Sequence, residues 1–132
     1  MSLAQVIHQT WAAADELTAR IPAARFFTGS VPPDTPLPYA QLLPVAVTPV
    51  EYTSSRNYLA RERLRISIWA QGLAEALAIR TVVDDLFHAL PPGSSSPLVL
   101  SIEQVAGQQQ EQPEQVWRVD LEYEFLLQRQ HA

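Results

Sequence analysis

The fold of this chain is set by RERLRISIWA at residues 61–70 and by QGLAEALAIRTVVDDLFHAL, which follows at residues 71–90. In the first stretch, apolar and polar side chains alternate, as in a half-buried β-strand. One face carries Leu64, Ile66, Ile68 and Ala70, and the other carries Arg61, Arg63, Arg65 and Ser67. In the second stretch, apolar residues recur at helical spacing from Leu73 to Leu90. An arginine-rich strand face beside a packed helix is more typical of an assembly module than of a catalytic one.

Length and composition limit the class of protein. The chain has 132 residues, 47% of them hydrophobic and 17% charged, so residues 1–132 are expected to form a single globular domain. No apolar run is long enough to cross a bilayer and no signal peptide is recognisable, so we expect a cytosolic protein without a membrane partner. The net charge of −5 argues against direct binding to nucleic acid.

Two residue types are missing. The chain has no Cys, which excludes disulfides, thiolate nucleophiles and iron-sulfur clusters. It also has no Lys, which excludes Schiff-base chemistry and the lysine of a phosphate-binding loop. Carboxylates, three histidines and hydroxyls are what remains for catalysis.

The N-terminal half predicts one helix and two or three strands. The helix is expected from Leu3 to Arg20, with Ser2 as its cap. A proline-rich loop follows from Phe26 to Pro38, with a short strand at its start. The next strand is expected from Tyr39 to Val47, where Pro44 indicates a sheet edge or a bulge. The segment from Thr48 to Asn57 is expected to form a long, mobile hairpin tip.

The C-terminal half predicts two strands. Pro91 to Pro97 is expected to be a linker, and a strand follows from Leu98 to Glu103. The glutamine-rich segment from Gly107 to Gln115 is expected to be a loose loop. The last strand alternates most clearly: residues 117, 119, 121, 123, 125 and 127 are apolar or aromatic, while Arg118, Asp120, Glu122 and Glu124 occupy the other face.

These elements predict an α+β fold. An antiparallel sheet of four to five strands would carry two helices on its apolar face, in the order α-β-β-β-α-β-β. The other face would carry a row of arginines on one strand and a row of carboxylates on another. If these strands are neighbours, each opposed pair contributes about 0.2–1 kcal/mol and helps to fix the register.

Three features of the sequence are candidate sites, and the first lies on the second helix. Asp84 and His88, with Asp85 nearby, have a spacing that suits two metal ligands, but no third ligand is evident. A solvated helix face with an Arg80–Asp84 ion pair is the simpler interpretation. No metal or other cofactor is therefore expected.

The other two candidates lie on the polar strand faces. The carboxylates of Asp120, Glu122 and Glu124 have a spacing that acid-base catalysis also uses, but facing arginines would keep them ionised. Trp69 shares its face with the arginines, a composition typical of binding hot spots. The interface candidates are therefore Arg61, Arg63, Arg65, Trp69, Asp120, Glu122 and Glu124. For Trp69, partial coverage at a strand end is an equally good interpretation.

Several segments together resemble a known family. They are residues 38–40 (PYA), residues 63–70 (RLRISIWA), the helix from Leu73 to Leu90 and residues 117–125 (WRVDLEYEF). They look like the tail completion proteins of long-tailed bacteriophages, which are related in fold to tail terminators and often encoded by prophages. The proline-rich and glutamine-rich segments depart from that pattern.

The resemblance implies a non-enzymatic structural protein. It would form a homo-oligomeric ring that caps the tail tube and joins it to the head connector, first in the cytoplasm of the bacterial host and then in the virion tail. Two alternatives remain open at this point: a small ligand-binding or enzymatic domain that uses Asp120, Glu122 and Glu124, and a prophage regulator that binds a host protein through Trp69. An apolar, ligand-sized pocket beside the carboxylates would favour the enzymatic alternative.

Overall fold

The computed structural model of the chain describes residues 2–52, 57–88 and 98–130. Within these residues, the helices are α1 (Leu3–Ala13), the single-turn α2 (Asp15–Thr18) and α3 (Leu73–His88). The strands are β1 (Phe26–Thr28), β2 (Tyr39–Tyr52), β3 (Asn57–Gln71), β4 (Leu98–Glu111) and β5 (Val116–Gln130). The α+β class and the order of its main elements are therefore confirmed.

The strands form one sheet in the order β1-β2-β3-β5-β4. Strands β2, β3, β5 and β4 are antiparallel to their neighbours, as expected. The expectation of a purely antiparallel sheet is wrong for β1, which runs parallel to β2. Segment 29–38 carries the chain back along the sheet before β2 begins, so both strands run in the same direction.

The centre of the sheet is the pairing of β3 with β5. It continues from Asn57 opposite Gln130 to Gln71 opposite Val116 without a register shift. This register places Leu64 beside Tyr123 and Ile66 beside Leu121 on one face. These side chains are buried in the core that the helices cover, as the alternation in both strands predicts.

Both helices pack on this same apolar face. In α1, Leu3, Ile7 and Trp11 are buried at a spacing of four residues. Trp11 stacks on Phe26 of β1, with ring centroids 4.0 Å apart, and its Nε1 donates a hydrogen bond to the Ile21 oxygen at 3.1 Å. The predicted cap is confirmed, because Ser2 and Gln5 form a reciprocal capping box.

Helix α3 covers the central strands. Its buried residues are Ala76, Ile79, Val83 and Phe87. Phe87 lies against Tyr123 and Phe125 of β5, at centroid distances of 4.7 and 6.1 Å. In the described part of the chain, no helix is both long enough and apolar enough to cross a membrane.

The first helix is shorter than predicted. The backbone of Ala14 is extended, with φ −92° and ψ 97°, and its N–H bonds to the Trp11 oxygen. Helix α1 therefore ends at Ala13, and the prediction of one helix from Leu3 to Arg20 is wrong. The break redirects the chain, so that both Trp11 and Leu17 are fully buried.

Two predicted loops are largely strand. The segment from Thr48 to Asn57 is strand as far as Tyr52 and again from Asn57, and its tip at 53–56 lies outside the described residues. The predicted loop from Gly107 to Gln115 is wrong up to Glu111, because β4 continues along β5 to that residue. Hydrogen bonding to a neighbouring strand outweighs the weak strand preference of a glutamine run.

The expectation for Pro44 is confirmed. The register of β2 against β3 shifts between Pro44 and Ala46, which is a bulge, and β1 pairs with β2 only from Ala40 to Leu42. Beyond Leu42, β2 is thus an edge strand in the described part of the sheet. The predicted linker from Pro91 to Pro97 and the last two residues of the predicted second helix lie outside the described residues.

Candidate functional site

The face of the sheet opposite the helices is polar, and we call it the polar face. The β3–β5 register places three cross-strand pairs on it: Arg63 beside Glu124, Arg65 beside Glu122, and Ser67 beside Asp120. At one end, Trp69 lies beside Arg118. All seven interface candidates predicted from the sequence therefore lie on one continuous surface of two adjacent strands.

The arginines pair with carboxylates of the same chain. Arg65 contacts Glu122 Oε1 through Nη2 at 2.7 Å and Nε at 3.0 Å. Arg63 Nη2 lies 3.3 Å from Glu124 Oε2, and Arg61 Nε lies 3.6 Å from Glu124 Oε1. Arg61 and Arg63 thus share one carboxylate. Because these arginine side chains are partly exposed, each pair stabilises the fold only modestly.

Asp120 has a different environment. Only 6% of the surface of Asp120 is exposed. Its Oδ1 accepts hydrogen bonds from Ser67 Oγ at 2.5 Å and from Arg118 Nε at 2.9 Å, and Oδ2 accepts one from Gln108 Nε2 at 3.5 Å. A buried carboxylate requires such partners, since an unpaired one would lose its hydration without compensation.

Trp69 is packed on both of its flanks. Tyr39 of β2 stacks on it with a centroid distance of 5.0 Å and an interplanar angle of 20°. On the β5 side, the Arg118 guanidinium carbon lies 5.2 Å from the Trp69 ring centroid, a cation–π arrangement. Since Arg118 is also held by Asp120, the aromatic end and the ionic part of the polar face form one network.

The two metal-ligand candidates on α3 have other partners. His88 Nδ1 lies 2.7 Å from the main-chain oxygen of Asp84. The Asp84 carboxylate accepts a hydrogen bond from the Tyr123 hydroxyl and lies 3.9 Å from Arg80 Nε, the ion pair expected from the spacing. Among the described residues, no group of three or more His, Asp or Glu side chains is arranged to hold a metal ion.

Tyr123 lies on the opposite, apolar face of the sheet, and its contact with α3 is not predicted from the sequence. Burial, the hydrogen bond to Asp84 and the negative charge of Asp84 raise the pKa of the Tyr123 phenol above its ordinary value. The alternation of β5 places Tyr123 in the core, but nothing in the sequence indicates its partner on α3. Ser67 and Gln108, the partners of Asp120, were also missed as members of the site.

The surroundings of the carboxylate row do not suit an apolar ligand. A groove of about 250 Å³ adjoins Asp120 and Glu122. It is lined by Arg65, Ala106, Gly107, Gln108, Asp120 and Glu122, so its walls are mostly charged and amide groups. Binding sites for small molecules are usually lined by apolar and aromatic side chains. The groove therefore lacks the feature that would favour an enzymatic or ligand-binding domain.

Comparisons with known proteins give a consistent result. The family model described as "Tail completion protein gp17" matches residues 5–128. A solved chain from the "Virion of native gene transfer agent (GTA) particle" superposes with a TM-score of 0.69 at 19% identity, covering 96% of this chain and 95% of that one. At this identity, the likeness shows a shared fold. A second solved chain matches at a TM-score of 0.48 and 18% identity, too distant to add to the argument. No curated protein matches.

We expect the buried carboxylate of Asp120 and the partly exposed carboxylate of Glu124 to differ in their effect on stability. Asp120→Ala should lower the free energy of unfolding by about 2–3 kcal/mol, because it leaves Ser67 and Arg118 without their acceptor. Glu124→Ala, in a partly exposed pair, should lower it by at most about 1 kcal/mol. Urea denaturation of both variants measures the difference. Equal losses would contradict the distinction between a buried and an exposed carboxylate.

The Tyr123 phenol should make stability pH-dependent in alkali. Its pKa is raised in the folded state, so its contribution is complete below the ordinary tyrosine value of about 10 and is lost as pH rises above it. Relative to Tyr123→Phe, wild type should lose about 1.4 kcal/mol more per pH unit above pH 10. The chain has no Lys to obscure this titration. Parallel slopes for the two proteins between pH 9 and 11 would refute the expectation.

Proposed function

The chain belongs to the tail completion protein gp17 family, and we propose that it forms an oligomeric ring that caps a phage tail tube and joins it to the head connector. The observation that carries this proposal is the family match over residues 5–128, nearly the whole chain. The protein accordingly has a structural role in a phage tail. The ring and the connection to the head are the finer parts of the proposal.

The fold likeness supports incorporation into a particle. The solved chain with TM-score 0.69 is part of a gene transfer agent virion, and both chains are covered almost completely. We therefore place this protein in the cytoplasm of the bacterial host during assembly and in the virion tail afterwards. Its partners would be copies of itself, the tail tube protein and the connector protein.

The chemistry of the polar face supports a structural rather than an enzymatic role. Asp120, Glu122 and Glu124 each contact arginine side chains of the same subunit. Carboxylate oxygens that contact arginines of their own chain are engaged there and are not directed at a substrate, as a general acid or base has to be. We propose that the protein works without catalysis and without a cofactor.

We further propose how the interface candidates divide their roles. The pairs of Arg61, Arg63 and Arg65 with Glu122 and Glu124 stabilise the subunit and hold its register. Trp69 contributes at the contact between subunits through the part of its side chain that Tyr39 and Arg118 leave exposed. A tryptophan held rigidly by its neighbours contributes to binding at a small entropic cost.

Deletion of the gene should allow heads and tails to form but should prevent their joining. In a host that carries the phage, a deletion should leave DNA-filled heads and unjoined tails, because the tube would lack its cap and its connection. Electron microscopy of the lysate detects both products. Complementation with the wild-type gene should restore joined particles, and joined, infectious particles without complementation would refute the proposal.

A salt series should show whether the ion pairs act within or between subunits. We expect Arg63→Glu to remain folded and to assemble like wild type at each salt concentration. Its stability should fall by about 1–2 kcal/mol, because an ion pair is lost and a second negative charge lies beside Glu124. Trp69→Ala should assemble less well. Light scattering measures the mass of each species. A folded but monomeric Arg63→Glu, beside a Trp69→Ala that assembles normally, would show that the arginines act between subunits.

A further inference from the structure

The exposed apolar side chains of the described residues fall into two groups. Val45, Val47 and Val50 of β2 are 44%, 59% and 44% exposed, and we call this group the valine arm. Leu73 and Leu77 of α3 are 37% and 36% exposed, and we call this pair the leucine stripe. In the described part of the chain these are the large hydrophobic residues that face solvent, so each group requires an explanation.

The valine arm is built for contact through side chains. Residues 44–50 are all exposed and uncharged, and β1 does not extend beside them. Pro44 and Pro49 lack backbone N–H groups, and register shifts follow both prolines. Prolines and bulges at a sheet edge disfavour the addition of another strand. The valines are therefore suited to packing against a partner's side chains, and this edge is not suited to backbone pairing with a partner's strand.

The leucine stripe is uncharged as well. The exposed positions in the first part of α3 are Leu73, Ala74, Leu77 and Thr81. The charged residues of this part, Glu75 and Arg80, are half-buried, and Arg80 is engaged with Asp84 and Gln109. A surface helix usually carries charged residues on its outward side. An outward side made of Leu, Ala and Thr is suited to burial.

The two groups lie toward opposite ends of the sheet. Val45 is at the bulge beside Arg63, whereas Leu73 follows Gln71 at the end of β3. Gln71 lies eight steps along the strand from Arg63, which is about 26 Å. The two patches differ in composition and lie apart on the subunit. They fit a heterologous contact, in which one patch of each copy meets the other patch of the next.

The net charge of the chain limits where two copies can meet. Each copy has a net charge of −5, so copies repel one another. Two uncharged patches allow close approach without placing like charges in contact. Copies of the chain cover both patches with one kind of contact, whereas other proteins would have to supply a separate complementary surface for each patch.

We propose that the valine arm of one subunit packs on the leucine stripe of the next copy. This inference rests on the ring of the proposed function and adds an apolar part to its subunit contact, in addition to the contribution proposed for Trp69. Around a closed ring, every arm and every stripe is covered, and no large exposed apolar group of the described residues remains.

The first test uses one charged substitution in each patch. Val47→Glu and Leu77→Glu should remain folded by circular dichroism but should raise the concentration needed for self-association by about 100-fold or more, because each buries an unpaired charge. Ala12→Glu, which adds the same charge at an exposed position of α1, is the matched control and should assemble like wild type. Light scattering over a concentration series measures all four proteins. If a Glu variant is unfolded, Val47→Thr or Leu77→Gln replaces it, with a smaller loss expected.

The decisive test mixes the two variants. Val47→Glu keeps an intact leucine stripe and Leu77→Glu keeps an intact valine arm, so an equimolar mixture can form one native contact and then stop. We expect a mass of two chains in the mixture and of one chain in each variant alone. Variants that both assemble like wild type would overturn the inference while leaving the ring intact, and so would a mixture that remains monomeric. A wild-type protein that stays monomeric up to its solubility limit would overturn the ring as well.

Discussion

The pairing of β3 with β5 is the constraint on which both surfaces of the sheet depend. Side chains alternate along a strand, so a shift of one residue would turn the apolar set of β3 toward solvent and its arginines toward the helices. The observed register runs unbroken from Asn57 to Gln71. It places Leu64 and Ile66 beside aromatic and aliphatic residues of β5, and it places Arg63 and Arg65 beside carboxylates. The core and the ion pairs therefore select the same register.

Apolar burial stabilises this register more than the ion pairs do. A buried leucine or isoleucine contributes about 1.5–3 kcal/mol, whereas a partly exposed ion pair contributes at most about 1 kcal/mol. The ion pairs reinforce a register that the core already determines. Asp120 is the exception on the polar face, because its burial makes its hydrogen bonds from Ser67 and Arg118 obligatory.

The sequence predicts well where one local pattern dominates. β3 alternates from Arg63 to Ile68, β5 alternates from Trp117 to Phe125, α3 repeats at helical spacing, and Ser2 caps α1 as its position indicates. Prediction fails where distant residues decide. Gly107 to Glu111 has little intrinsic strand preference and becomes strand because β5 offers hydrogen bonds, and the break at Ala14 follows from the burial of both Trp11 and Leu17. The direction of β1 depends on the path of segment 29–38, whose prolines predict a loop but not the direction in which it continues.

The candidate site shows the same division. Alternation places the seven interface candidates on one face, because that requires only the period of each strand. It does not reveal that Arg61 and Arg63 share Glu124 or that Tyr123 bonds to Asp84, since those contacts depend on strand order and helix packing.

The charged groups of the polar face stabilise the subunit, whereas the association proposed above uses uncharged groups. On the polar face, four arginines and three carboxylates already pair within one chain. Another chain that binds to this face would therefore form few new ion pairs. Among the described residues, the large apolar side chains that remain exposed lie at the edge of β2 and at the start of α3. Association driven by such groups depends on apolar burial and little on salt, since screening acts only between charges. In the proposed contact, the surface used for assembly is the part of the subunit that contributes least to its own core.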